Sequence, residues 1–121
     1  MKEARKVKKN AYSPYSKFKV GAALKTSKGK IFTGCNVENI SYGLSNCAER
    51  TAIFKAVSEG YKNIESIAIT SSGKTPTFPC GACRQVLAEF NPNMIVYIDG
   101  LKESFNISEL LTHSFTRKQL S

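Results

Sequence analysis

The chain has 121 residues, 41% of them hydrophobic and 22% charged, with a formal charge of +9. That size and balance suit one ordinary globular domain spanning residues 1–121. No apolar run approaches the ~20 residues that cross a bilayer. The stretch Met1-Lys2-Glu3-Ala4-Arg5-Lys6-Val7-Lys8-Lys9 has no apolar segment behind its charges, so neither a membrane protein nor a secretory leader is expected, and the cytosol is the expected compartment.

The charge is unevenly placed. Residues 1–30 hold ten Lys or Arg against one acid, Glu3, whereas residues 31–121 hold eight of each sign. No aromatic pattern for stacking bases is interleaved with those lysines. The excess therefore reads as the solvated face of a first helix rather than as a nucleic-acid-binding arm.

In chain order, a short helix is expected over 3–11, closed by the turn-forming Ser13-Pro14. Residues 17–25 alternate, with Phe18, Val20, Ala22 and Leu24 on one face, which predicts a strand. Ser27-Lys28-Gly29-Lys30 is a hairpin turn, and 31–37 is the returning strand. A Gly/Ser loop follows over 42–45. From Cys47 the period changes: Ala48, Ala52 and Ala56, with Ile53 and Val57, recur at helical spacing up to the stop at Gly60. An apolar strand over 64–70 leads into a loop over 71–79. Ala82, Val86, Leu87 and Phe90 mark a second long helix, ended by Asn91-Pro92. A β-branched strand is expected over 94–98, a turn at Asp99-Gly100, a short strand over 105–107, and a last helix capped by Ser108. A hairpin followed by alternating helices and strands implies an α/β fold: a three-layer α/β/α sandwich with a mixed sheet of about five strands.

Four cysteines are present: Cys35, Cys47, Cys80 and Cys83. Without a secretory leader, metal binding or catalysis is a better default for them than disulfides. Pro79-Cys80-Gly81-Ala82-Cys83 places two sulfurs near one point at a loop-to-helix junction. Taken alone, the pair is open to both redox-dithiol and zinc readings. Cys47-Ala48-Glu49, at another such junction, supplies a third thiol and a carboxylate. Catalytic zinc sites take three protein ligands and keep one position for water. Zinc lowers the pKa of that water to about 7, and a carboxylate beside it can move the proton. Zinc enzymes that deaminate nucleobases combine a Pro-Cys-x-x-Cys pair with a glutamate that does not bind the metal. Three thiolates leave zinc with excess negative charge, which Arg50, Arg84 and the two helix starts are expected to offset.

The chain resembles the small homotetrameric cytidine deaminases over nearly its whole length. Four blocks carry the resemblance, in the family's order: Tyr12-Ser13-Pro14-Tyr15-Ser16-Lys17-Phe18-Lys19-Val20-Gly21-Ala22-Ala23, Gly34-Cys35-Asn36-Val37-Glu38-Asn39, Cys47-Ala48-Glu49-Arg50-Thr51-Ala52 and Pro79-Cys80-Gly81-Ala82-Cys83-Arg84-Gln85. The resemblance implies one zinc ion per chain on Cys47, Cys80 and Cys83, with Glu49 as proton shuttle. It implies that cytidine and deoxycytidine are the substrates, in pyrimidine salvage. Asn36 and Glu38 match the pair that binds the ribose 3′-hydroxyl, Phe18 the aromatic of the base pocket, and the Ala48 backbone a contact to the base. Phe115 is similar to the aromatic that family members lend to a neighbouring subunit, and Tyr42 to a residue near the subunit junction, so a homotetramer with sites at its interfaces is expected.

Two features depart from the family's pattern: the first helix is short, and Phe78 precedes Pro79 where a small residue is common. Cys35 reads as a buried small hydrophobe, and His113, the one histidine, as a surface or interface residue. Three rivals are weighed against this reading. A blasticidin deaminase would share the metal motif. A polynucleotide-editing enzyme conflicts with a grip on the 3′-hydroxyl. A purely structural zinc module would need Cys35 as fourth ligand and leaves Glu49 without a purpose.

Overall fold

A computed structural model describes residues 1–120. Among them, five strands form one mixed sheet in the order β2-β1-β3-β4-β5. They are β1 (Val20–Thr26), β2 (Ile31–Cys35), β3 (Ile64–Ser71), β4 (Ile95–Ile98) and β5 (Ser104–Asn106). β1 is antiparallel to both β2 and β3, β3 and β4 are parallel, and β5 is antiparallel to β4. The helices are α1 (Lys2–Lys8), α2 (Ala48–Ser58), α3 (Gly81–Phe90) and the single-turn α4 (Ile107–Leu110), with 3₁₀ turns at Tyr42–Leu44 and Arg117–Leu120.

Two glycines show how the layers stack. Gly21 and Gly34 lie on paired strands one register position apart, so they face opposite sides of the sheet. A Cβ on Gly21 would stand 2.2 Å from the Ala4 carbonyl oxygen of α1. A Cβ on Gly34 would stand 2.5 Å from the Ala52 nitrogen and 2.6 Å from the Ala48 oxygen of α2. Helix α1 thus covers one face, and α2 the other. The α2 side holds the core: Ala22, Leu24, Phe32, Ile67, Ile69, Val96 and Ile98 from the strands, Ala48, Ala52, Ile53 and Ala56 from α2, and Leu87 from α3. The three alanines, four residues apart, let α2 lie close to the sheet, while the β-branched strand residues fill the space between helices. This is the expected α/β/α sandwich.

Several boundaries differ from expectation, each for a local reason. Helix α1 stops at Lys8, and Lys9 and Asn10 turn out of it. β1 begins at Val20 rather than at residue 17, because Lys17 takes a left-handed φ of 61° and its amide donates to the Ser13 carbonyl at 3.0 Å. Phe18 is therefore on a turn. β2 ends at Cys35; beyond it, Val37 bridges Tyr12 on one side and Asn46 on the other. The cap of α4 is Asn106, not Ser108. The Asn106 side chain accepts from the Ser108 amide at 3.0 Å, and Glu109 accepts from the Asn106 amide at 2.8 Å, completing a capping box. Cys35 is half-buried rather than buried, and it pairs with Gly21, away from the α2 side.

The basic excess stays in solvent: Lys2, Lys6 and Lys9 are exposed. Two basic residues of this segment also make contacts: Lys8 donates to the Ser71 carbonyl at 3.3 Å, and Arg5, although exposed, forms an ion pair. Its Nε and Nη2 donate to the two Asp99 carboxylate oxygens at 3.0 and 2.6 Å, and the Thr70 hydroxyl donates to the same carboxylate at 2.7 Å. This fork ties α1 to the end of β4. Among the described residues, no helix is long and apolar enough to cross a membrane.

Candidate metal centre and substrate cavity

Cys47 and Cys80 are the N-caps of α2 and α3, both with extended backbone, and Cys83 lies in the first turn of α3. Asn46 sets the first of these junctions. Its backbone pairs with Val37, and its side-chain amide donates to Thr51, whose hydroxyl donates to the Cys47 carbonyl. The Cys83 amide donates to the Cys80 sulfur at 3.4 Å and closes the second. Two helix starts thereby converge on one point, and their positive dipole ends favour thiolates there.

Sγ of Cys47 lies 3.8 Å from Sγ of Cys80, which lies 3.4 Å from Sγ of Cys83, and all three sulfurs fall within 4.8 Å of one another. Sulfurs on a tetrahedral ion with bonds of ~2.3 Å stand about 3.8 Å apart, so the triangle has the size zinc requires. The ionisation of the thiols agrees. Cys47 is pulled down to about 5, first by its hydrogen bond with Cys83 and further by Arg50 and Cys80, against burial. Cys83 is driven up by that same bond, by burial and by the charges of Glu49 and Cys47. One thiolate forms readily, and three together need a cation. A soft trio of sulfurs of this spacing fits zinc. Among the described residues, the cluster contains these three ligands; Cys35 is not among them, nor is His113, which is exposed.

Glu49, in the first turn of α2, is 4% exposed. Its carboxyl is pushed up to about 7, chiefly by burial, with the Cys47 charge adding and Arg50 opposing. The two arginines part company. Nη2 of Arg50 donates to the Cys47 sulfur at 3.3 Å, and its buried Nε has no hydrogen-bond partner. Arg84 does not reach a sulfur: it donates to the Pro79 carbonyl at 2.7 Å and the Leu110 carbonyl at 2.6 Å, clamping the loop before Cys80 to α4.

Cys47, Cys80 and Glu49 border a cavity of about 310 Å³, at the lower end of the range for small-molecule sites, and Cys83 lies buried behind it. Cys47, Ala48, Glu49 and Cys80 form its floor, Phe18, Val20 and Phe78 its apolar wall, and Ser16, Asn36 and Glu38 its polar end. Gly73 makes room for the Phe18 ring, whose Cε1 would lie 2.9 Å from a Cβ there. Phe78 packs edge-on against Phe105 with centroids 5.2 Å apart.

Asn36 accepts from the Val20 amide and donates to the Phe18 carbonyl, both at 2.8 Å, which orients its amide. Glu38 accepts from the Tyr15 and Ser16 amides at 3.0 and 3.1 Å and from the Ser16 hydroxyl. These bonds, the hydroxyl first, hold it below the usual carboxylate range against some burial. The structure thus gathers Cys47, Cys80, Glu49, Ala48, Phe18, Asn36 and Glu38 around one cavity, with Cys83 completing the thiol cluster and Arg50 beside it.

Phe115 does not line the cavity of its own chain. It is 60% exposed, and Gln85 holds its backbone, accepting from its amide at 3.2 Å and donating to its carbonyl at 2.9 Å. Tyr42 is exposed and stacks edge-on against Tyr15 at 5.9 Å. Sequence reasoning missed the polar cavity residues Ser16, Ser45, Asn46 and Thr77; Ser16 lies inside a recognisable block and Ser45-Asn46 directly precede Cys47, whereas Thr77 has no signal.

A mixed sheet that presents three thiols and a buried glutamate at two helix starts, beside an apolar cavity, has the donor set of zinc-dependent nucleobase deaminases. The family model described as "Cytidine and deoxycytidylate deaminase zinc-binding region" matches residues 1–99, and the chain belongs to that family. It is 49% identical to the cytidine deaminase of Sporosarcina psychrophila over 123 residues, covering 98% of this chain and 90% of that one. It is 48% identical to the cytidine deaminase of Halalkalibacterium halodurans, covering 100% of this chain and 95% of that one. The crystal structure of cytidine deaminase from Burkholderia pseudomallei superimposes with a TM-score of 0.89 at 47% identity, covering 94% of each chain.

Proposed function

We propose that this protein is a single-domain, cytosolic zinc enzyme that hydrolyses cytidine and deoxycytidine to uridine and deoxyuridine, releasing ammonia, in pyrimidine salvage. The observation that carries the reading is the buried Glu49 beside three convergent thiols, on the floor of a cavity whose far end holds an oriented amide and a carboxylate. Cys47, Cys80 and Cys83 would hold one zinc ion per chain, which when bound activates water at neutral pH and stabilises developing charge. In the reaction, water adds at C4 of the base and the amino group leaves. Glu49 takes the proton that the attacking water loses and delivers it to N3. It then carries the remaining hydroxyl proton to the departing amine. Its burial suits a group that must both accept and give a proton near neutral pH. Arg50 offsets the charge of the Cys47 thiolate. Phe18 packs against the base, and the Ala48 backbone contacts it.

Asn36 and Glu38 read the sugar. A carboxylate held in its charged form at that end repels a continuing phosphate, which favours a free nucleoside over a polynucleotide. The exposed apolar side chains Ile40, Tyr42, Leu44 and Phe115 support a homotetramer with the sites at subunit junctions. The test is to follow the ultraviolet absorbance of cytidine with zinc-loaded and chelator-stripped protein. Metal-dependent conversion to uridine is expected. A protein with one zinc per chain that leaves both nucleosides unchanged would refute the proposal.

A further inference from the structure

The polar end of the cavity is built on a turn that the reaction itself does not use. Lys17, in its left-handed conformation, folds the chain back so that the Phe18 amide donates to the Ser16 hydroxyl oxygen at 3.0 Å. With that oxygen accepting, the Ser16 hydroxyl donates its proton to Oε2 of Glu38. The consecutive Tyr15 and Ser16 amides both donate to Oε1 of Glu38. A carboxylate has about four acceptor sites and, when charged, no donor. Two are filled on Oε1 and one on Oε2, so a single acceptor site is left. On the neighbouring strand end, Asn36 accepts from Val20 with one carbonyl lone pair and donates one amide hydrogen to Phe18, leaving one N–H and one acceptor site.

We infer that Ser16 is a positioning residue for substrate specificity: its hydroxyl aims Glu38 so that the one remaining acceptor site takes a sugar hydroxyl as donor. The inference rests on the deaminase reading above and adds to it a residue that touches neither the base nor the metal. Without the Ser16 hydroxyl, Oε2 is free to turn to solvent or to other donors. The ligand it selects is a nucleoside with a free hydroxyl at the sugar position facing Glu38, and an analogue lacking that hydroxyl gains nothing from the arrangement. The same turn carries Phe18, so the base wall and the sugar contact share one short segment.

The experiment compares zinc-loaded wild type, Ser16→Ala and Ser16→Thr on 2′-deoxycytidine and 2′,3′-dideoxycytidine. Wild type is expected to prefer deoxycytidine strongly. Ser16→Ala is expected to shrink that preference about tenfold, the order of one charge-assisted hydrogen bond. The change should come mainly through KM for deoxycytidine, with the thermal midpoint and zinc content unchanged. Ser16→Thr, which keeps the hydroxyl, is expected to restore the preference. Ser16 is exposed, so the alanine leaves no internal cavity; Ser16→Gly provides the same readout if the alanine variant is unstable. An unchanged preference in Ser16→Ala, or an equal loss on both substrates, overturns the inference. A wild type that deaminates both nucleosides equally well removes the sugar-reading role of Glu38 and with it that of Ser16. A wild type inactive on deoxycytidine with zinc bound defeats the deaminase reading instead.

Discussion

Gly34 offers a way to move helix α2 without touching the candidate site. An alanine there would put its Cβ 2.5 Å from the Ala52 nitrogen and 2.6 Å from the Ala48 oxygen. Ordinary carbon contacts lie near 3.5–4.0 Å, so the gap must open by about 1 Å. Both obstructing atoms are backbone within α2, which leaves no flexible side chain to yield. The helix must lift from β2, and it carries Cys47 and Glu49 with it. Cys80 and Cys83, on α3, need not follow. Overpacking of this kind costs about 1–3 kcal/mol. At roughly 3–5 °C per kcal/mol for a chain of this length, the thermal midpoint of Gly34→Ala should fall by about 3–15 °C. A displacement of ~1 Å between reacting groups typically costs about 100-fold in rate, so kcat should fall by about that factor in the fraction that remains folded. Thermal unfolding by circular dichroism, zinc content and steady-state kinetics on cytidine measure the three quantities. A variant with wild-type midpoint and wild-type kcat would show that α2 does not sit against Gly34 as described.

Three further outcomes follow from particular contacts. Glu49→Gln should retain its zinc, measured by metal analysis, while kcat falls by about 10²–10⁴-fold, the usual worth of a positioned proton carrier. Arg50→Ala removes the guanidinium donor to the Cys47 sulfur, and zinc affinity by chelator competition should drop about 10–100-fold. Asp99 is held well below its ordinary range by the Arg5 guanidinium and then by the Thr70 hydroxyl. A carboxyl depressed in the folded state contributes stability above its unfolded value of about 3.9, and loses that contribution as pH falls through this value toward the folded one. The midpoint of Asp99→Asn should therefore lie below wild type, by an effect of ~1 kcal/mol, from pH 7 down to about pH 4, and the two should converge at lower pH. A gap that widens on acidification would contradict the ion pair.

Much of this arrangement can be read from the sequence, because the main signals are periodic or chemical. The alanines of α2 at four-residue spacing, the hairpin at Gly29 and the trio Cys47, Cys80, Cys83 each point to a definite structure. What was hidden depends on single backbone torsions and on position within a helix turn. Phe18 continues the alternation of β1, and only the left-handed φ of Lys17 removes it from the strand. Both Asn106 and Ser108 are good caps, and what favours Asn106 is Glu109 three residues on. Arg50 and Arg84 each adjoin a metal-ligand motif, yet they behave differently. Arg50 is the third residue after the cap Cys47, from which a side chain reaches back to the cap; Arg84 is the fourth after the cap Cys80, from which it meets the residue before the cap, Pro79. The Phe115 ring is mostly exposed, so it belongs to no buried face that periodicity could reveal.

The clasp on the tail has an evolutionary corollary. Gln85 grips residue 115 by its main-chain amide and carbonyl alone, and every amino acid but proline offers the same two groups. The station is therefore indifferent to which side chain it displays. Mutation at 115 can exchange an aromatic ring for a charged or small group while the tail stays docked, so what this segment presents to its surroundings can drift or be selected independently of the attachment that holds it there.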